Sequence, residues 1–174
     1  MNFEAEIRDL AARRDITDAV QRYMRGLDRL DPELQRSAFH DDAWIDAGVS
    51  AGGPDEFVAF CQEFLGMTGG SHHHMGQVRI VVHPDGRTAS GEVYFQAWHA
   101  AQDEAGAPRD LFVSGRYVDE YRCDNGDWRI VRRRLINDWV KNDPADLGFY
   151  AANPNSIRGG RRGEDFSQKR DWPR

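Results

Sequence analysis

Two polar residues stand in apolar surroundings. Asp28 closes the run Tyr23-Met24-Arg25-Gly26-Leu27-Asp28, and His74 lies within Ser71-His72-His73-His74-Met75-Gly76-Gln77-Val78-Arg79-Ile80. A carboxylate and an imidazole that reach one pocket can move a proton without a cofactor. Tyr23 shares the helix face of Asp28, and the basic run Arg132-Arg133-Arg134 supplies a cation that would stabilise an anion if one of its members faced the same space. Each also has a plain structural reading: Asp28 as a helix-end carboxylate, Tyr23 as a core tyrosine, and the arginines as a solvated stripe. Three successive histidines suggest a metal, but neighbouring strand residues alternate faces, so only His72 and His74 would share an ion. No acidic or thiol ligand has matching spacing, and neither metal nor cofactor is expected.

The elements that must position these groups follow from periodicity. After Asp15, a good N-cap, Ile16, Val20, Tyr23, Met24 and Leu27 recur at helical spacing and carry Asp28 at the edge of an apolar stripe. Asp31-Pro32 starts a short helix over 33–39, a strand is predicted over 43–47, and a broad apolar face predicts a third helix over 55–65. Strands over 71–82, 88–101, 110–122 and 128–140 are then separated by turn sequences, which predicts an antiparallel meander. Helices first and a curved sheet afterwards make an α+β domain with the helices on one face. In the first long strand, Val78, Ile80 and Val82 mark the inward face, and alternation carries His72 and His74 inward and His73 outward. Phe95, Trp98 and Trp139 are the candidate aromatic walls of the substrate pocket.

At 174 residues the chain suits one domain with room for a core and a cavity. A net charge of -6 with 40% apolar residues argues against a nucleic-acid partner, which would require a basic balance. Cys61 and Cys123 have neither a redox nor a zinc spacing, which predicts a reduced, cytoplasmic setting. The charged N-terminus and the lack of a long apolar run predict no leader and no membrane partner. Two segments are expected: an α+β barrel domain over 1–143, and an irregular basic tail over 144–174 placed to cover the pocket or a subunit interface.

The element order, together with Gly26-Leu27-Asp28, His74-Met75-Gly76, Gly115-Arg116-Tyr117-Val118-Asp119-Glu120-Tyr121 and Asp127-Trp128-Arg129-Ile130, resembles the SnoaL-like branch of the nuclear transport factor 2-like superfamily over about residues 5–140. The resemblance implies a cone-shaped α+β fold with a curved antiparallel sheet around an apolar cavity, often assembled as a homo-trimer. It also implies a cofactor-independent lyase acting on a hydrophobic aromatic or alicyclic compound, with water, hydrogen halide or formaldehyde as the group eliminated. By that resemblance His74 removes a proton, Asp28 orients it, Tyr23 matches a catalytic tyrosine and Arg133 assists the leaving group. Ala97 stands where one branch of the family has an acidic residue. The same equipment fits an isomerase, and the fold also serves ligand-binding proteins and dioxygenase small subunits.

Overall fold

The computed structural model describes residues 2–172. Helix α1 (Phe3–Arg29) starts well before the expected Asp15 cap, because the Asn2 side chain accepts the Ala5 N–H and Glu4 and Glu6 favour the first turn. The exposed pairs Glu4 with Arg8 and Asp9 with Arg13, each four residues apart, extend the helix ahead of its buried stripe. Asp15 lies inside the helix and accepts from Arg14 Nε at 2.8 Å. Ala12, Ile16, Val20, Tyr23 and Leu27 form the stripe, and Leu30 at φ 48° ends the helix two residues after Asp28. Gly26 is needed for the next turn of chain: a Cβ there would lie 2.5 Å from the Gln35 backbone nitrogen of α2 (Pro32–Arg36).

Strand β1 (Phe39–Asp46), the short β2 (Ala51–Gly52) and helix α3 (Pro54–Gly66) precede the meander of β3 (Ser71–Val82), β4 (Thr88–Gln102), β5 (Pro108–Asp124) and β6 (Asp127–Pro144). The sheet order is β2-β1-β6-β5-β4-β3. The meander is antiparallel as expected, but β1 joins β6 in parallel, so the sheet is mixed. It is curved and unclosed, with β2 and β3 at its two edges, and α1 and α3 pack against it.

Bulges decide which side chains face inward. In β3, Met75 pairs with Phe95 and Val78 with Val93, so three residues on one strand span two on the other. In β6, the steps from Ile130 to Arg132 and from Asn137 to Trp139 each contain an extra residue against β5. Every such insertion curls the strand and reverses its alternation beyond that point. Gly115 sits at the second β6 bulge, where a Cβ would stand 2.0 Å from the Ile136 carbonyl oxygen.

The segment after β6 is not wholly irregular. It contains the short helices α4 (Gly148–Ala152) and α5 (Phe166–Lys169), and it returns to the end of α1, where the Arg162 N–H donates to Arg29 O at 2.7 Å. Met1, Pro173 and Arg174 lie outside the described residues, so the expected 1–143 and 144–174 segments are described without those ends. Among the described residues no helix is long and apolar enough to cross a membrane.

Candidate active site

The last turn of α1 brings Asp28 against the start of β3. Its Oδ1 accepts from His73 Nδ1 at 2.7 Å and its Oδ2 accepts the His73 backbone N–H at 2.8 Å, so one carboxylate fixes both the ring and the main chain of the same residue. The two side chains are 12% and 7% exposed respectively. The histidine in this pair is therefore His73, not His74, which is exposed on the other face of the strand. Counting back by twos from Val78 fails because the bulge between Met75 and Val78 reverses the phase. Burial works against the Asp28 charge, but the bonds from His73 and the Ser71 hydroxyl outweigh it and hold the carboxyl below the usual carboxylate range.

His73 opens onto a cavity of about 180 Å³ between α1, α3 and the sheet. Phe57, Phe60 and Phe64 of α3 form one wall, Phe95 and Tyr117 the other, and Ala97, opposite His73 in register, leaves room for the imidazole. Phe60, Phe64 and Val49 are partly exposed and mark the mouth. Polar groups are few: His73, His99, Asn137 and the phenols of Tyr23 and Tyr117. The His99 ring meets His73 edge-on at 5.5 Å between centroids, and Nδ1 lies 3.3 Å from Leu111 O. A carbonyl only accepts, so this nitrogen carries the proton and Nε2 keeps its lone pair. Burial, with the neighbouring His73, pulls the His99 pKa down to about 4, so the ring is neutral near pH 7.

Tyr23 lines the cavity, stacked on Phe57 at 6.4 Å and edge-on to Tyr117 at 5.5 Å. Burial pushes its phenol well above the ordinary tyrosine value despite Arg133 nearby, which leaves it a proton donor. Cys61, in the same wall, is likewise pushed up by burial, to about 11, and stays a thiol.

Arg133 points inward but does not reach the cavity. It is wholly buried beneath the tyrosines, with its guanidinium carbon 4.3 Å from the Tyr23 ring centre and 4.1 Å from that of Tyr117. Its Nε and Nη2 donate to Asp119 at 2.8 and 2.6 Å, and the Tyr121 hydroxyl donates to the same carboxylate at 2.8 Å. Burial opposes the guanidinium charge, yet Asp119 overrides it and holds Arg133 above its ordinary value. Its expected contact with a leaving group is therefore replaced by contact with the tyrosines.

Of the three aromatic walls, Phe95 lines the cavity, whereas Trp98 and Trp139 do not. Residues 95 and 98 cannot share a strand face, and Trp98 turns outward to donate Nε1 to Asp110 at 2.8 Å. Trp139 lies beyond the second β6 bulge and is 47% exposed. His99, Asn137 and Asp119 were not singled out from sequence, although strict alternation from Phe95 through Ala97 reaches His99. Among the described residues no cluster of three or more His, Cys, Asp or Glu side chains is placed to hold a metal ion.

A mixed sheet wrapped round an apolar cavity, with an Asp/His pair at its wall, defines the class in which this chain falls. The chain belongs to the SnoaL-like domain family, whose model matches residues 8–134. Among solved structures it is similar to a Novosphingobium aromaticivorans protein provisionally named a scytalone dehydratase (21% identity, 82% of this chain and 97% of that one, TM-score 0.69). It is also similar to hexachlorocyclohexane dehydrochlorinase LinA type 2 (17% identity, 82% and 99%, TM-score 0.71). A Mycobacterium tuberculosis protein of unknown function matches at 21% identity over 79% and 76%, with a TM-score of 0.64. At these identities the likeness speaks for the fold. No curated protein matches the sequence significantly.

Proposed function

We propose that the protein is a cofactor-independent lyase that eliminates a small group from a hydrophobic, single-ring compound. The observation that carries this reading is the Asp28 and His73 pair at the wall of an apolar cavity. With Nδ1 donating to Asp28, His73 Nε2 is free to act as a general base, and Asp28 holds the tautomer and balances the imidazolium that forms. For water or hydrogen halide the base takes a C–H proton, the C–H electrons form a double bond, and the leaving group departs with its own bonding pair. For formaldehyde the base takes the O–H proton of a hydroxymethyl group, the O–H electrons form the carbonyl, and the C–C pair passes to the ring carbon, which takes the proton back from the imidazolium. For a hydroxyl, Tyr23 donates the proton that makes water and is reprotonated from the imidazolium. Arg133 acts through Tyr23 and Tyr117, its charge steadying a transient phenolate across the ring faces.

Cavity size narrows the substrate. An engineered apolar cavity of about 150 Å³ holds benzene, so about 180 Å³ suits one six-membered ring with small substituents, while a steroid or a diarylpropane exceeds it. The test is to incubate wild type and His73→Gln, without added cofactor, with hydroxylated and halogenated cyclohexanes and cyclohexenes and with hydroxymethyl phenols, and to follow product mass. Loss of water, hydrogen halide or formaldehyde with wild type alone is expected. Ligand binding without turnover by either protein would replace this reading with a binding role.

Self-assembly, with a trimer favoured, belongs to the same proposal and is supported by Trp44 and Trp139, which are 57% and 47% exposed on the adjoining strands β1 and β6. Light scattering on the purified chain is expected to give three subunits, and a monomeric mass would overturn it.

A further inference from the structure

The tail contributes a side chain to the site. Arg161 enters between the end of α3 and the start of β3: Nη1 donates to Leu65 O at 3.0 Å and Thr68 O at 2.9 Å, and Nη2 to Thr68 Oγ1 at 3.3 Å and Ser71 Oγ at 2.9 Å. Leu65 lies in the last turn of α3 and Thr68 just past its Met67 cap, where the helix dipole favours a cation. Leu65 lines the cavity, and Ser71 opens the strand that carries His73. Because a guanidinium has no acceptor, Ser71 uses an oxygen lone pair towards Arg161 and keeps its own O–H as a donor, two residues ahead of His73.

The backbone holds this arrangement. Arg162 at φ 56° and Gly163 at φ 83° turn the chain, and Asp165 accepts from Gly160 N at 2.7 Å and Ser167 N at 2.9 Å while facing Arg29 Nε at 3.5 Å. Asp28 is thus shared between two spaces. One side holds His73 at the cavity, and the other faces a polar pocket of about 350 Å³ that Arg29 and Arg161 also line. The charged and titratable groups around Asp28 are Arg25 and Arg29 on α1, His72, His73 and His74 on β3, His99 on β4, Arg109 and Asp110 on β5, and Tyr150, Arg158 and Arg161 in the tail. Within this set, Arg161 is joined to the strand of His73 through the Ser71 Oγ bond; burial works against its guanidinium and lowers its pKa from the ordinary arginine value, while the Asp28 charge favours it.

We propose that Arg161 is a positioning residue for the Asp28 and His73 pair, fastening the start of β3, two residues ahead of His73, to the end of α3 and setting a cation on the side of Asp28 away from the cavity. The catalytic meaning of this rests on the lyase reading above; the geometry does not. The experiment is a ¹³C NMR titration of the Asp28 carboxyl in wild type, Arg161→Ala, Arg161→Lys and Arg162→Ala. The Ala variant is expected to raise the Asp28 midpoint by about half a pH unit or more, through loss of a nearby cation and a looser hold of His73 on the carboxylate. Lysine, which cannot fork to four acceptors, should give a smaller rise, and Arg162→Ala none, since that residue docks through its backbone N–H. An unchanged midpoint in folded Arg161→Ala overturns the proposal; should that variant not fold, wild-type midpoint and His73 ring shifts in Arg161→Lys overturn it. No substrate is needed, so a failed turnover screen would remove the lyase reading and leave this result standing.

Discussion

Two carboxylate pairs lie a short way apart in this molecule and differ in one respect that matters. Asp28 meets His73 at the wall of the cavity, where both side chains keep a little exposure and one ring nitrogen has its lone pair to spare. Asp119 meets Arg133 in full burial, with both side chains 0% exposed, two guanidinium bonds, a tyrosine hydroxyl and aromatic rings over the cation. The second pair is the stronger as an ion pair and the less open to a ligand, because both carboxylate oxygens accept hydrogen bonds and both side chains are buried. On the proposed reading, the group suited to move a proton is the one with a free lone pair at the cavity wall.

That contrast can be broken from either side. Replacing His73 with Gln is expected to lower turnover by about 10²- to 10⁴-fold, the usual worth of a general base, while urea unfolding changes little; equal damage to both would make His73 a structural residue. Arg133→Met should damage both, costing about 3–5 kcal/mol in urea unfolding because it strands the buried Asp119 charge and lowering turnover because Tyr23 loses the cation behind its ring; adding Asp119→Leu should recover most of the stability but not the turnover.

A smaller effect separates the two histidines of the cavity. The folded chain resists protonating His99, whose pKa falls from 6.5 to about 4, so stability is whole above the ordinary histidine range. As pH falls from about 6.5 towards 4 the unfolded chain takes up a proton that the folded chain refuses, and stability drops by the order of 3 kcal/mol before levelling. His99→Gln should flatten that slope in urea titrations at stepped pH. His74→Ala is expected to change neither activity nor stability beyond about 0.5 kcal/mol, as befits an exposed side chain; a large loss of turnover there would put the wrong histidine in the pair.

The helical stripe that delivers Tyr23 and Asp28 was legible because α1 keeps one period throughout its buried half. The four long strands were legible from their turns, and the placement of Phe95 agrees with plain alternation along β4. What failed was phase. Alternation is a reliable guide only while a ladder stays in register, and the bulges in β3 and β6 moved the imidazole from His74 to His73 and put Trp139 outside. Gly76 beside Gln77 hinted at such a break, but a glycine in a strand is a weak sign of one. The parallel pairing of β1 with β6, and the return of Arg161 to residues 65–71, depend on contacts far apart in sequence, which local pattern does not encode.

The three consecutive histidines acquire a meaning from the β3 bulge. With the extra residue in place His73 stands opposite Ala97; if the strand slid by one to close the ladder, His74 would take that station. Either alignment offers the carboxylate of Asp28 an imidazole. The repeat thus keeps an imidazole at the same station opposite Ala97 in both registers of this edge strand.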